Sequence, residues 1–232
     1  MNNDIYIFSH NYLVGDWETV VEDQLGLLLT SKLYGNSTKI YYCVFCYEEN
    51  AYKKFLNLVV KHDPLNKIEI IRHEENKFEL LTLKLLQKKV NECQQEAFFL
   101  YFHTKGLTTI KNHRYLGLPD SDLLKNAISW RKCLEYFNIE KWKNCVEILP
   151  NYDVAGAMYV YNGGPLYNNF YSGNFWWSKT SYLNKLPIID VDSERIEAEL
   201  WIGKSRHSWF NFYSATSGNA YLHYYDPQDY KK

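Results

Sequence analysis

Residues Ala97–Gly106, AFFLYFHTKG, read as a short strand that is apolar on both faces and stops in four polar or small residues. Phe98, Phe99, Leu100, Tyr101 and Phe102 show no alternation, the pattern of a central parallel strand covered on both sides. In open α/β sheets ligands bind beyond the carboxyl ends of the strands. His103-Thr104-Lys105-Gly106 therefore falls where chemistry is expected. Lys105 can offer a point charge to a phosphate, Thr104 a hydroxyl, and Gly106 a close backbone approach. The bland alternative is a strand-end turn with a solvated lysine. Four ligand-capable residues directly after five apolar ones favour function.

Upstream, the chain alternates strand and helix. Asp4–Ser9 reads as a strand with Ile5 and Ile7 on one side, and it ends at His10 and Asn11. Trp17–Leu33 reads as a helix, with Trp17, Val21, Leu25 and Leu28 at helical spacing and Asp16 as N-cap. Lys39–Cys46 is a strand, Glu48–Val60 a helix and Lys67–His73 a strand. Phe78–Val90 is a helix with Phe78, Leu81 and Leu85 on one stripe. This β-α-β-α-β-α-β order predicts an α/β fold with a mostly parallel central sheet flanked by helices.

After Gly106 the texture changes. Leu107–Pro119 reads as a long loop, of a length typical of a lid. Helices are expected over Asp122–Phe137 and Glu140–Leu149. A strand is expected over Tyr152–Tyr161, then a turn at Asn162–Pro165. Asn168–Trp177 reads as a strand with a glycine break, and Lys179–Leu186 as a short helix. Ser193–Ile202 reads as a helix with Ser193 as N-cap, and the aromatic stretch Ser208–Tyr225 as β. One domain spanning 1–232 is expected, without a linker or repeat.

Composition removes several classes. The 232-residue chain is 46% hydrophobic with a net charge of −1 and no block of like charges. Nucleic acid needs a basic field and is not expected as partner. No apolar run approaches a membrane span, and no signal peptide is read at the N-terminus, so a cytoplasmic location is expected. Five cysteines without framework spacing fit a reducing compartment. Cys43 and Cys46 have the spacing of a redox or zinc pair, but three apart on a strand they point to opposite faces. No second pair exists, so they are read as structural. Neither a dinucleotide nor a P-loop fingerprint occurs, nor a G-x-S-x-G elbow, nor paired metal-binding histidines. Aromatics reach 17%, with 21 Tyr and 7 Trp. Gly173-Asn174-Phe175-Trp176-Trp177 sets two indoles beside an amide, suited to a sugar face. Alternation along a strand buries one of the two in any case. Glu197 and Glu199 lie two apart on a helix and point in different directions, one toward a pocket or both to solvent.

Together these pieces resemble the GT-A-type glycosyltransferases, in particular small polysaccharide glycosyltransferases of bacteria and large DNA viruses. The resemblance runs from about Phe78 to Trp201. It is carried by Phe78–Leu83, by Tyr101-Phe102-His103-Thr104-Lys105-Gly106, by Trp130-Arg131, and by Ser172–Trp177 followed by Tyr182-Leu183, Leu186-Pro187 and Ala198-Glu199. It implies a GT-A-like single domain, with a Rossmann-like nucleotide-binding half over 1–106 and an acceptor-binding half over 107–232. It implies a UDP- or dTDP-type nucleotide-sugar donor, a glycan acceptor, transfer with inversion, and a place in polysaccharide synthesis in the cytoplasm of a bacterium or of a virus's host. His10, Asn11, Glu79, Thr82, His103, Thr104, Lys105, Gly106 and Arg131 would bind the nucleotide sugar. Gly173, Asn174, Trp176 and Trp177 would meet sugar or acceptor. Glu199 would be the catalytic base, with Asp153 as second choice. GT-A enzymes mostly carry Asp-x-Asp at the end of this strand to hold Mn²⁺ or Mg²⁺, whereas here that place reads His103-Thr104-Lys105. A metal would have to use Asp120 and Asp122, otherwise the N-cap of the next helix, or Lys105 would neutralise the diphosphate itself. The alternative to an enzyme is a non-catalytic nucleotide-sugar or carbohydrate-binding module. A Rossmann-type methyltransferase is disfavoured because no glycine-rich loop follows Ser9.

Overall fold

The computed structural model describes residues 3–104, 115–161, 169–214 and 219–231. Lys105, Gly106, most of the loop after them and the turn at 162–165 lie outside those residues. In chain order the elements are β1 (Ile5–Tyr12), α1 (Trp17–Thr30), α2 (Leu33–Asn36), β2 (Lys39–Phe45), α3 (Glu49–Lys61), β3 (Ile68–Arg72), α4 (Leu80–Glu92) and β4 (Phe98–His103). The second half follows with α5 (Asp120–Glu135), a π-helical turn (Tyr136–Glu140), α6 (Trp142–Ile148), β5 (Val154–Gly156), β6 (Tyr159–Val160), β7 (Phe170–Tyr171) and β8 (Trp176–Lys179). Then come α7 (Thr180–Leu183), α8 (Ile196–Leu200) with a 3₁₀ turn (Trp201–Gly203), β9 (Trp209–Asn211), a 3₁₀ turn (Ala220–Leu222) and α9 (Pro227–Tyr230).

A seven-stranded sheet in the order β3-β2-β1-β4-β8-β5-β9 forms the centre, and β6 and β7 pair separately. β1 to β4 are mutually parallel, β8 runs against β4 and β5, and β9 runs with β5. Within the seven-stranded sheet every strand but β8 therefore points the same way. The mostly parallel sheet flanked by helices is the expected Rossmann-like, GT-A-like α/β architecture. β4 is buried along its whole length, as its unbroken apolar run requires. Phe98, Leu100 and Phe102 enter the core shared with α1 and α5, while Phe99 and Tyr101 enter the core shared with α4, α7 and α8. Trp177 and Trp176 on β8 divide between the same two cores.

Several boundaries differ from the sequence reading. The buried stripe of α4 is Leu80, Leu83, Leu86 and Val90, not Phe78, Leu81 and Leu85. Phe78 precedes the helix at φ +52° and is 43% exposed. Tyr152–Tyr161 is not one strand: Met158 takes φ +64° between β5 and β6. Ser193 caps nothing, because its hydroxyl turns back to the carbonyl of Asp190 and the helix starts at Ile196. Among the described residues of the aromatic tail only Trp209–Asn211 is strand. Cys43 and Cys46 are buried free thiols, and burial pushes Cys43 up to about 12.

Candidate functional site

The strand order reverses at β1, with β2 on one side and β4 on the other, so the crevice beyond their carboxyl ends is the topological switch point. His10 and His103 are direct partners across β1 and β4 at that edge. His73 follows the end of β3, with its imidazole 6.4 Å from that of His10. β1, β3 and β4 thus each bring a histidine to or near the carboxyl end of the strand.

α4 lays Glu79 and Thr82 against these rings. The Thr82 hydroxyl lies 2.9 Å from His10 Nδ1 and 3.2 Å from His73 Nε2. A hydroxyl donates once, so one ring accepts from it and the other donates to it. Burial lowers the pKa of His10 to about 3, helped by His103, His73 and Arg195 and opposed by Glu79. Burial lowers His73 as well. His10 is therefore a neutral hydrogen-bonding ring at physiological pH.

His103 is fixed at both nitrogens. Its Nε2 lies 2.9 Å from the Gly173 carbonyl, which only accepts, so Nε2 carries a proton. Its Nδ1 lies 3.6 Å from Glu79 Oε1. Glu79 Oε2 accepts from the Tyr101 hydroxyl at 3.2 Å and from Asn174 Nδ2 at 2.5 Å. Burial and the adjacent Glu79 hold the Tyr101 phenol far above its ordinary pKa, so it donates as a neutral group. Glu79 thus faces the His103 ring while Tyr101 and Asn174 hold its carboxylate.

The turn between β7 and β8 builds the other wall. The Tyr171 carbonyl accepts from Asn174 N at 2.8 Å, with Gly173 at φ +96° in the third position. A type II turn reserves that place for glycine, and asparagine tolerates the left-handed φ of +54° that follows. The turn aims the Gly173 carbonyl at His103 and the Asn174 amide at Glu79. Trp176 locks the amide by donating from Nε1 to Asn174 Oδ1 at 2.9 Å, and its ring stacks on Tyr101 at 5.2 Å. Asn174 Nδ2 also meets the Ala198 carbonyl at 3.3 Å, docking α8 on the cluster. Glu199, next in the chain, is half-buried, and its charge adds to the upward shift of Tyr101. Thr104 sits at the edge, its hydroxyl accepting from Tyr12 N at 3.0 Å.

Other residues singled out in the sequence lie elsewhere. Arg131 is buried under the opposite face, bound to Glu135 at 2.9 Å and Asp23 at 3.0 Å. Its guanidinium is spent inside the core, and it meets the site only through Gln24, which donates to Glu135 and to the His103 carbonyl. Asn11 also turns inward, donating to the carbonyls of Ser9 and Cys43. Trp176 and Trp177 are 1% and 0% exposed, and Trp177 donates to the Asn138 carbonyl. Neither indole offers a face to a sugar. Asp153 precedes β5, level with the start of β4, roughly 16 Å along the strand direction from His103. Burial would raise its pKa, but hydrogen bonds from Ser208 and the charge of Lys179 outweigh it and hold the carboxylate below its usual range. It is too far away and too weak a base for a role at this edge. Asp120 and Asp122 occupy the exposed first turn of α5. Among the described residues no group of three or more His, Cys, Asp or Glu side chains is placed to hold a metal ion, so no step is assigned to one.

His73, Tyr101, Phe78 and Arg195 were not named for the site in the sequence. The recurrence of histidine at three strand ends is a signal that points to His73. Nothing local marks the Tyr101 hydroxyl, whose role depends on α4.

No family model and no curated protein matches this sequence. Among solved structures, a crystal structure of 4-diphosphocytidyl-2C-methyl-D-erythritol synthase is similar at a TM-score of 0.41 and 11% identity, over 99% of this chain and 95% of that one. A likeness at that distance says nothing about activity. No helix among the described residues is long and apolar enough to cross a membrane.

Proposed function

We propose that the protein is a glycosyltransferase that takes a sugar from a nucleoside-diphosphate donor and passes it to a hydroxyl of a glycan acceptor. The observation that carries this reading is the buried polar cluster at the switch point: His10, His103, Glu79 and Thr82 meeting beyond the ends of β1 and β4. The neutral rings of His10 and His73 offer hydrogen bonds to a base or ribose. Thr104 stands at the edge where the diphosphate would leave, and Lys105 follows it in the sequence. Fixed donors and cations there stabilise the charge that develops on the leaving phosphate. Glu199 takes the acceptor proton, because it is the carboxylate that α8 brings beside the cluster without burying it. Glu79 already accepts from Tyr101 and Asn174 and serves to hold the cluster beside His103.

Incubation with a panel of nucleotide sugars, with nucleotide release as readout, tests the reading. Donor hydrolysis or transfer is the expected result. Saturable donor binding without turnover on any acceptor would instead favour a nucleotide-sugar-binding module.

A further inference from the structure

Phe78 and Arg195 share a configuration that the fold alone does not require. Phe78 is a bulky residue at φ +52°, a conformation that costs energy for any side chain but glycine. Asn76 Oδ1 fixes it there by accepting from Phe78 N at 3.1 Å. In that conformation the ring projects outward, while the next residue, Glu79, turns in to meet His103. Arg195, just ahead of α8, is exposed and lies over that ring, its guanidinium carbon 5.6 Å from the centroid. Neighbouring cations are neutralised: Lys77 pairs with Asp192 at 2.7 Å and Lys204 with Glu197. Among the described residues Arg195 makes no ion pair. It is nevertheless close enough for its charge to act on His10 inside the crevice.

We infer that Arg195, set over the Phe78 ring, is a diphosphate-binding cation at the rim of this site. An arginine stacked on an aromatic face keeps its N–H fork free for phosphate oxygens and loses little freedom on binding them. The inference rests on the nucleotide-sugar reading and supplies a diphosphate cation from the second half of the chain. Phe78 is the positioning residue, and its strained backbone sets the ring where the guanidinium needs it.

The test is calorimetric titration of UDP, dTDP, GDP and ADP, and of the nucleoside of the best binder, into the full-length protein. Arg195→Gln should weaken the diphosphate roughly ten- to a hundredfold and leave the nucleoside within about twofold, as the loss of one charge-assisted contact predicts. Phe78→Leu should weaken the diphosphate several-fold, and Phe78→Tyr should restore it. Both positions are at the surface, so equal melting temperatures check the fold. Unchanged diphosphate affinity in Arg195→Gln, or equal loss for diphosphate and nucleoside, overturns this inference while leaving the nucleotide reading intact. A wild-type protein that binds none of the four overturns both.

Discussion

Two buried glutamates hold His103 from opposite faces of the sheet, and they differ in kind. Glu79 meets its imidazole, together with a tyrosine hydroxyl and an asparagine amide. Glu135 acts on its main-chain carbonyl through Gln24, and is itself paired with Arg131. An arginine never gives up its proton at working pH, so the Glu135 pair is a strut. The Glu79 side instead gathers an imidazole, a phenol and an amide around one carboxylate, groups that can also hydrogen-bond a ligand. Burial cost alone does not separate a functional ion pair from a structural one; the partner's chemistry does.

The largest effect should come from breaking the strut. Arg131→Met leaves Glu135 buried without its cation and should cost about 3–5 kcal/mol in chemical denaturation. Burial raises the pKa of Glu135, and Arg131 opposes that rise. A raised carboxyl pKa means that the folded state binds the proton more tightly than the unfolded chain. The penalty from Glu135 is therefore full above the folded pKa and relieved as pH falls through it, toward about 4.3. The deficit of Arg131→Met should shrink over that window. A deficit independent of pH would show that the lost packing, not the stranded charge, was the cause. The tryptophans set the scale: Trp176→Ala and Trp177→Ala, each buried in a different core, should both cost about 3–5 kcal/mol.

Glu79→Gln should cost less, about 1–3 kcal/mol, because Tyr101 and Asn174 both donate to Oε2, an oxygen the amide keeps, and the charge facing His103 is what is lost. It should also remove nucleotide binding, which Arg131→Met, measured well below its melting temperature, should spare. Equal effects of the two on binding would erase the distinction between strut and site.

How far the sequence anticipated this division follows from the range of the contacts. β1 to β4 and their helices were legible because each is a local periodic pattern closed by local breakers. The HTKG and GNFWW stretches both stood out, yet their interlock through Glu79 did not, since it spans α4, β4 and the turn before β8. Arg131 was carried over from the resemblance and the tryptophans were chosen as flat rings beside an amide, and neither ground says on which face a side chain is spent. Asp153 was chosen for its place at a strand start, and in a parallel sheet that is the edge away from the ligand. The left-handed conformations of Phe78 and Met158 have no local signature. Phe78 consequently entered a helical stripe it does not join, and Met158 vanished into a strand it breaks.

The smallest effect on stability should belong to Glu199. Glu199→Gln removes a half-buried carboxylate with no assigned packing role and should change stability by under about 0.5 kcal/mol. Turnover with the true acceptor should fall roughly 10²–10⁴-fold, with donor affinity kept. Retention of more than about a tenth of the activity would remove Glu199 as the base.

The central claim is that the Glu79–His103 side of this arrangement is the ligand site, and histidine NMR addresses it most directly. Ring ¹⁵N-labelled protein titrated with a nucleoside diphosphate should show His10, His73 and His103 shifting together and saturating, while His62, just past the end of α3, stays fixed. Saturable binding that leaves His10 and His103 unmoved would contradict the account.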